Sequence, residues 1–105
     1  MKVQNIKGSS KVSEKPPKEY SSWLNYWEVN ANRKLKTGTK YKCPACGKAF
    51  ERENFDGCYV QKVDSTDQKW YIIPLCDSCN HQSVTLDIGS IRMVEVPNNF
   101  GKKIN

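Results

Sequence analysis

The sequence predicts a small α+β domain. Apolar residues recur at helical spacing over residues 20–36, several later stretches are rich in β-branched and aromatic residues, and two cysteine pairs lie among them. The chain has 105 residues and is 37% hydrophobic, which allows one modest core rather than two. A domain of this size usually needs a disulfide or a metal ion to stabilise it.

The first predicted element is an amphipathic helix over residues 20–36. Ser21 or Ser22 is expected to cap its start, and Gly38 is expected to end it just after a basic last turn. We expect the two tryptophans of this segment to fill the core rather than to stack on nucleic-acid bases. Tyr26 lies off the apolar stripe and is expected to be free for a partner. The stripe itself consists of Tyr20, Trp23, Leu24, Trp27, Ala31 and Leu35.

Two β-hairpins are predicted in the second half of the chain. The first is built from residues 58–63 and 70–73, which are separated by the turn-forming sequence DSTD, and Pro74 is expected to end it. The second covers residues 84–96 and has Gly89 at the first position of a two-residue turn. The helix and the two hairpins together give the α+β class.

The cysteines form two pairs with the spacing C-x-x-C, Cys43 with Cys46 and Cys76 with Cys79. Structural zinc takes four tetrahedral ligands and binds thiolate well, and a tight turn within each pair places both sulfurs on one side. Gly47 follows the first pair and allows the backbone to turn beneath the metal. We therefore predict one structural Zn²⁺ ion held by these four thiolates, with a redox dithiol or an iron–sulfur cluster as alternatives.

Two further potential ligands are the fifth cysteine, Cys58, and the single histidine, His81. Cys58 stands alone at the start of a predicted strand, so we expect a buried or free thiol. His81 is expected to contact one of the metal-binding cysteines or to be exposed, because four thiolates already complete the coordination of the zinc ion. The odd number of cysteines, with no long apolar segment and no secretory signal, predicts a cytoplasmic protein. A secreted domain with two disulfides is the alternative.

The net charge of +6 is unevenly distributed. Residues 1–40 carry nine Lys or Arg and three Asp or Glu, whereas the rest of the chain carries eight of each. We predict a disordered basic arm over residues 1–18, a single domain over residues 19–97 with its zinc module at 41–84, and a flexible tail over residues 98–105. The lysines of the arm either contact nucleic acid or only keep the protein soluble. The candidate nucleic-acid contacts are Lys11, Lys15, Lys18, Arg33, Lys34 and Lys36.

The first cysteine pair, in a short turn called a zinc knuckle, is followed by a hairpin and then by the second cysteine pair, in the sequence LCDSCNH at residues 75–81. This order resembles the treble-clef arrangement of HNH-type endonucleases. In those enzymes the second pair opens a helix, and a catalytic His lies on the first strand of the hairpin. The resemblance implies a divalent cation of the magnesium type held by Asn80 and His81, and Asp56 is a further candidate ligand. Small phage and bacterial proteins that resemble this chain carry a His where Tyr59 stands. Tyrosine titrates near pH 10 and is a poor base at neutral pH.

These features are compatible with three functions. The absence of a general base favours a noncatalytic zinc module that binds DNA or RNA, without sequence preference, through its basic N-terminal region. The second function is an HNH-like nuclease with an atypical site. The third is an adaptor that binds another protein through Tyr26, Tyr41 and Phe50 if these side chains are exposed. Neither a membrane nor a small-molecule substrate is expected.

Overall fold

The computed structural model describes residues 1–6, 16–63, 65–81 and 84–97. Over these residues the fold is α+β, as predicted, and a short 3₁₀ helix connects the third strand to the fourth. No helix in this part of the chain is long and apolar enough to cross a membrane. The tail predicted for residues 98–105 lies outside the described residues. In chain order the elements are β1 (Lys2–Asn5), α1 (Trp23–Asn30), β2 (Lys40–Lys42), β3 (Ala49–Glu51), β4 (Phe55–Lys62), β5 (Trp70–Cys76), α2 (Asp77–Asn80), β6 (Thr85–Asp87) and β7 (Val94–Glu95).

Five strands form one antiparallel sheet in the order β6-β1-β4-β5-β7, and β2 and β3 form a separate two-stranded ribbon. The central pair β4–β5 is the first predicted hairpin, but β5 runs on to Cys76, and Pro74 pairs with Gly57 inside it. The expectation that Pro74 ends the hairpin is therefore wrong. Proline is tolerated there because β7 pairs only with Tyr71 and Ile72, which leaves the other edge of β5 without a described ladder partner at Pro74.

The hairpin predicted over residues 84–96 is wrong. β6 pairs with β1 at one edge of the sheet, where Leu86 lies opposite Val3, and β7 pairs with β5 at the other edge. Gly89 does adopt a left-handed φ of +64°, but the chain then crosses between the two edges instead of folding back on itself. Strands this short gain more from pairing with a larger sheet than a small isolated hairpin could provide.

The N-terminal strand β1 corrects the disordered arm predicted for residues 1–18. This strand lies between β6 and β4, where Val3 and Asn5 are buried, while Lys2 and Gln4 on the opposite side are exposed. Both of its partners lie more than fifty residues away along the chain, so no local pattern predicts the pairing. The rest of the predicted arm includes residues 7–15, which are outside the described part of the chain.

The helix α1 is shorter than the one predicted over residues 20–36. Ser22 caps its start, as predicted, because the Ser22 hydroxyl accepts a hydrogen bond from the Asn25 backbone N–H at 3.0 Å. The helix ends before Gly38 because Asn32 adopts a left-handed φ of 57°, a conformation that asparagine tolerates. Leu35 is nevertheless buried, so the last apolar position of the predicted stripe belongs to a loop.

Two aromatic side chains tie α1 to the last described segment of the chain. Trp27 is 1% exposed, and its indole N–H donates to the Arg92 carbonyl oxygen at 2.8 Å. Its predicted role in the core is confirmed. The Tyr26 hydroxyl donates to the Glu95 carbonyl oxygen at 2.7 Å, and the side chain is buried. The expectation that Tyr26 is free for a partner is therefore wrong.

The start of α1 lies directly on β4 at Gly57. A Cβ atom at this position would clash with the Trp23 carbonyl carbon and would lie 2.5 Å from the Leu24 backbone nitrogen. Both atoms belong to the helix backbone and cannot rotate away. Gly57 therefore sets how closely the helix approaches the sheet.

We expect Gly57→Ala to destabilise the domain by about 1–3 kcal/mol or more, because α1 must move away from β4 to admit the methyl group. Chemical denaturation of the metal-loaded protein measures the loss. Gly38→Ala provides the comparison, since the added methyl group meets open space there and the cost comes from the φ of +86° alone, about 1 kcal/mol. An unchanged free energy of unfolding for Gly57→Ala would contradict this packing.

Candidate metal centre

The first cysteine pair lies in the turn that joins β2 to β3. The Cys43 backbone N–H donates to the Lys48 carbonyl oxygen, and the Gly47 N–H donates to the Cys43 carbonyl oxygen, both at 2.8 Å. Gly47 adopts a φ of +79°, which residues with a Cβ atom rarely adopt. The predicted role of this glycine in the turn is confirmed. The tight loop presents the sulfurs of Cys43 and Cys46 to the same place.

The second pair lies where β5 ends and α2 begins. Cys76 is the last residue of β5 and the N-cap of α2, and Cys79 lies inside this helix. Cys76 is 1% exposed and Cys79 is 4% exposed. The β4–β5 hairpin thus carries the chain away from the first pair and returns it beside that pair.

The four sulfur atoms form one cluster. All lie within 4.8 Å of one another, and the sulfurs of Cys46 and Cys76 are 3.9 Å apart. Zinc–sulfur bonds of about 2.3 Å in a tetrahedron place the sulfurs about 3.8 Å apart. A disulfide needs about 2.05 Å, and none of the five cysteines, all of which are described, forms one. The thiols therefore have the number and spacing that a tetrahedral metal ion requires.

Backbone N–H groups stabilise negative charge on the Cys43 sulfur. Burial would raise the pKa of this thiol, but hydrogen bonds from the N–H groups of Cys76, Cys46 and Ala45 outweigh burial and lower the pKa. Burial raises the pKa of Cys76 and of Cys79. A divalent ion displaces thiol protons when it binds, so these two cysteines would release their protons to solvent as the metal binds.

Asn5 connects the N-terminal strand to the second half of the site. Its side-chain amide donates to the carbonyl oxygens of Cys79 at 3.2 Å and Asn80 at 3.1 Å. These carbonyls lie at the end of α2, where backbone acceptors lack partners within the helix. β1 therefore helps to hold the helix that carries Cys79, a role that no local motif around Asn5 indicates.

Cys58 lies in β4 and outside the sulfur cluster. Its thiol is 3% exposed and donates to the Asp56 carbonyl oxygen at 3.3 Å. Burial raises the pKa of Cys58 well above its ordinary value. The expectation of a buried thiol is confirmed, and its position outside the sulfur cluster leaves Cys58 out of the set of potential metal ligands.

The residues that the HNH resemblance implicates are only partly brought together. The Asn80 side-chain amide lies 3.4 Å from Asp56 Oδ2. His81 is exposed, as one of the two expectations had it, and its Nδ1 lies 2.8 Å from the Asp77 carbonyl oxygen. Tyr59, which the HNH resemblance places at the position of the general base, packs its ring against two tryptophans.

The aromatic surface considered for a protein adaptor is largely covered. Tyr26 is buried, and Tyr41 and Phe50 lie opposite each other in the β2–β3 ribbon, where both are half-buried. The Tyr41 hydroxyl accepts a hydrogen bond from the Lys36 backbone N–H at 2.7 Å. Phe50 makes an edge-to-face contact with Phe55 at 6.0 Å between ring centroids. All three rings therefore take part in packing or hydrogen bonding within the domain.

The candidate nucleic-acid contacts divide into two groups. Lys11 and Lys15 lie outside the described residues. The others are exposed, and those after α1 lie in the loop that follows the helix rather than in its last turn. The sequence interpretation missed that the exposed cations continue onto the ribbon, although a count would have found it, since residues 33–48 contain no Asp or Glu. The exposed candidates are Lys18, Arg33, Lys34 and Lys36, and the additional cations are Lys40, Lys42 and Lys48.

Comparisons of the chain with protein-family models, with curated proteins and with solved structures gave no match.

Proposed function

We propose that this chain is a noncatalytic module built around one structural zinc ion and that it binds nucleic acid through its basic surface. The cluster of four thiols from two C-x-x-C pairs carries the proposal. Thiolate ligands favour zinc over magnesium or calcium, which take oxygen ligands. Four protein sulfurs fill a tetrahedron, so the ion would keep no open position for a substrate, which is typical of a structural site.

The scaffold we propose for this zinc ion is a treble clef. In support of it, the knuckle between β2 and β3 carries one cysteine pair, the long β4–β5 hairpin follows, and the second pair opens α2. The β2–β3 ribbon shares no strand pairing with the five-stranded sheet among the described residues. A zinc ion would therefore join two parts of the domain that the backbone ladders leave separate.

The proposal of nucleic acid as the partner is supported by charge. The chain carries a net charge of +6, before the negative charge of a zinc tetrathiolate is counted. Lys and Arg contacts to phosphates release condensed counterions, so such binding weakens as salt increases. Contacts of this kind position a nucleic-acid backbone without reading bases, and we therefore propose weak binding with little sequence preference.

Metal analysis and a nucleic-acid titration on the same preparation test the two parts of this proposal. We expect one zinc ion per chain and binding of a mixed-sequence oligonucleotide at low salt that weakens steeply with added salt. A chain that contains zinc but binds no DNA or RNA would keep the structural module and lose the nucleic-acid function. A chain purified without zinc that still folds would overturn the module itself.

We also expect no hydrolysis of DNA or RNA with magnesium or manganese, because Tyr59 replaces the general base and is a poor base at neutral pH. Nuclease assays on duplex and single strands measure this. Tyr59→His restores the missing residue type, and activity gained in that variant but lost with an additional His81→Ala would reveal a latent site. Turnover by the natural sequence that disappears in His81→Ala would contradict the noncatalytic assignment.

A further inference from the structure

We infer that the nucleic-acid contact lies on a folded surface beside the metal centre rather than on the N-terminal arm, and this inference rests on the proposed nucleic-acid function. The partner group is the phosphodiester backbone of a nucleic-acid strand. We name this region the basic ribbon surface, because it covers the loop after α1, the β2 strand and the cysteine turn. Its residues are Arg33, Lys34, Lys36, Lys40, Lys42 and Lys48.

No ion pair of the described residues neutralises the basic ribbon surface, and a zinc tetrathiolate beside Lys42 and Lys48 would offset about two of its six positive charges. Residues 33–48 contain six Lys or Arg and no Asp or Glu, and all six cationic side chains are exposed. The ion pairs of the described residues involve other cations. Of the nearby acids, Glu28 already pairs with Arg52, and Glu51 lies opposite Lys40 at the margin of the surface. The six cations are therefore available for a polyanion.

The loop that carries half of these cations is held in place by hydrogen bonds that its backbone N–H groups donate. The Arg33 N–H donates to the Glu28 carbonyl oxygen at 2.9 Å, and the Leu35 N–H donates to Glu28 Oε2 at 2.9 Å. The Lys36 N–H donates to the Tyr41 hydroxyl at 2.7 Å, which fixes the loop against β2. Since Leu35 is buried between these contacts, its basic neighbours stand on a fixed backbone. Cations on a fixed backbone lose less conformational entropy on binding than cations on a backbone that must first be ordered.

The ribbon continues the same surface toward the cysteines. Lys40 and Lys42 are separated by one residue in β2, so they project from the same face, opposite to Tyr41. Lys48 lies in the turn that also contains the first cysteine pair. Lys34 and Lys36 line one shallow groove in the loop. A strand backbone laid across the loop and the ribbon would meet positive charge along its path.

The chemistry of this surface fits phosphate better than a membrane or an apolar protein patch. In the described part of the chain, the exposed large hydrophobic residues are Met1, Val29 and Val84, and none of these lies in residues 33–48. Membrane insertion requires a contiguous apolar face, and stable protein interfaces have an apolar centre. Clustered lysines without such a centre are typical of backbone contacts to nucleic acid.

Two triple variants of the full, zinc-loaded chain test the location. The ribbon variant is Lys40→Gln with Lys42→Gln and Lys48→Gln, and the matched arm variant changes Lys7, Lys11 and Lys15 to Gln, so each removes three charges. Deleting residues 1–18 would be a poor substitute because it removes β1. With a labelled, mixed-sequence single strand, we expect the ribbon variant to lose affinity about tenfold or more at low salt and the arm variant to lose less. The slope of log affinity against log salt should become shallower by about 2 in the ribbon variant, since each lost phosphate contact removes about 0.7.

Other results would overturn the inference in distinguishable ways. An equal loss of affinity in both variants, or a larger loss in the arm variant, would show that the basic ribbon surface is not the main contact. The proposed nucleic-acid binding itself would still stand. If the natural sequence binds no oligonucleotide, both the inference and the proposed partner fail. If polyglutamate competes as well as the oligonucleotide at equal charge, the surface belongs to an acidic protein instead. Zinc analysis accompanies each variant, and Arg33→Gln with Lys34→Gln and Lys36→Gln repeats the test away from the cysteines if the ribbon variant loses metal.

Discussion

Cys76→Ser is expected to lose zinc and to unfold the domain. Cys76 is 1% exposed, and its sulfur belongs to the four-thiol cluster. A serine hydroxyl cannot replace a thiolate in such a site. The free energy of zinc binding to a structural site is folding free energy of about 10 kcal/mol or more, which is comparable to the whole stability of a small domain, about 5–15 kcal/mol. Elemental analysis and the amide spectrum of residues 41–96 measure the two losses.

Cys58→Ser is the matched control for that experiment. Cys58 is buried like Cys43, Cys76 and Cys79 but lies outside the cluster, and a serine hydroxyl can also donate to the Asp56 carbonyl oxygen. This variant should keep one zinc ion and its fold. If Cys58→Ser loses zinc while Cys76→Ser keeps it, the ligand set is wrong. If a strong chelator leaves the amide spectrum of the natural protein unchanged, the metal does not hold the fold.

The parts of this structure that sequence patterns predicted are those that local physics determines. The C-x-x-C spacing reports a turn of four residues, and Gly47 supplies the positive φ that the turn needs. Ser22 is adjacent to the helix that it caps. The β4–β5 hairpin joins neighbouring strands through a polar turn. In each case the residues that form the feature lie close together in the chain.

The parts that were wrong depend on contacts between distant residues. β1 has four residues, and its place in the sheet follows from ladders to β4 and β6, which lie far along the chain. Because β6 pairs with β1 at one edge of the sheet, it does not pair with β7, and the predicted second hairpin does not form. Tyr26 lies off the apolar stripe of α1 in the sequence, but residues 92–95 pass beside the helix and cover this side chain. Each of these contacts closes a long loop of the chain, and a sequence window of ten residues does not contain both partners.

Glu28 is another residue whose role depends on distant contacts, since a charged residue on a surface helix usually faces water. Here it is 3% exposed, and its two carboxylate oxygens accept hydrogen bonds from the Arg52 guanidinium at 2.8 and 2.9 Å. Oε2 also accepts the Leu35 N–H. This carboxylate therefore joins the helix, the loop that carries the basic residues and the turn before β4. Burial would raise the pKa of Glu28, but the hydrogen bonds from Arg52 and Leu35 and the positive charge of Arg52 outweigh it and lower the pKa below its ordinary value.

Glu28→Gln is expected to destabilise the zinc-loaded domain by about 3 kcal/mol at neutral pH, because it leaves the Arg52 guanidinium without its anion.

A carboxylate whose pKa is lowered on folding stabilises the folded state above the pKa of the unfolded chain, about 4.3 for glutamate. That stabilisation is lost as the pH falls through the lower, folded-state pKa. The difference in unfolding free energy between the natural sequence and Glu28→Gln should therefore be constant above about pH 5 and shrink below about pH 4. Because zinc release at acid pH unfolds both proteins, the difference is measured at the pH values at which both still hold zinc. Glu53→Gln, an exposed neighbour of Arg52, should change stability by about 0.5 kcal/mol or less. A difference that stays constant down to acid pH, or that equals the effect of Glu53→Gln, would show that the Glu28 carboxylate does not hold these three segments together.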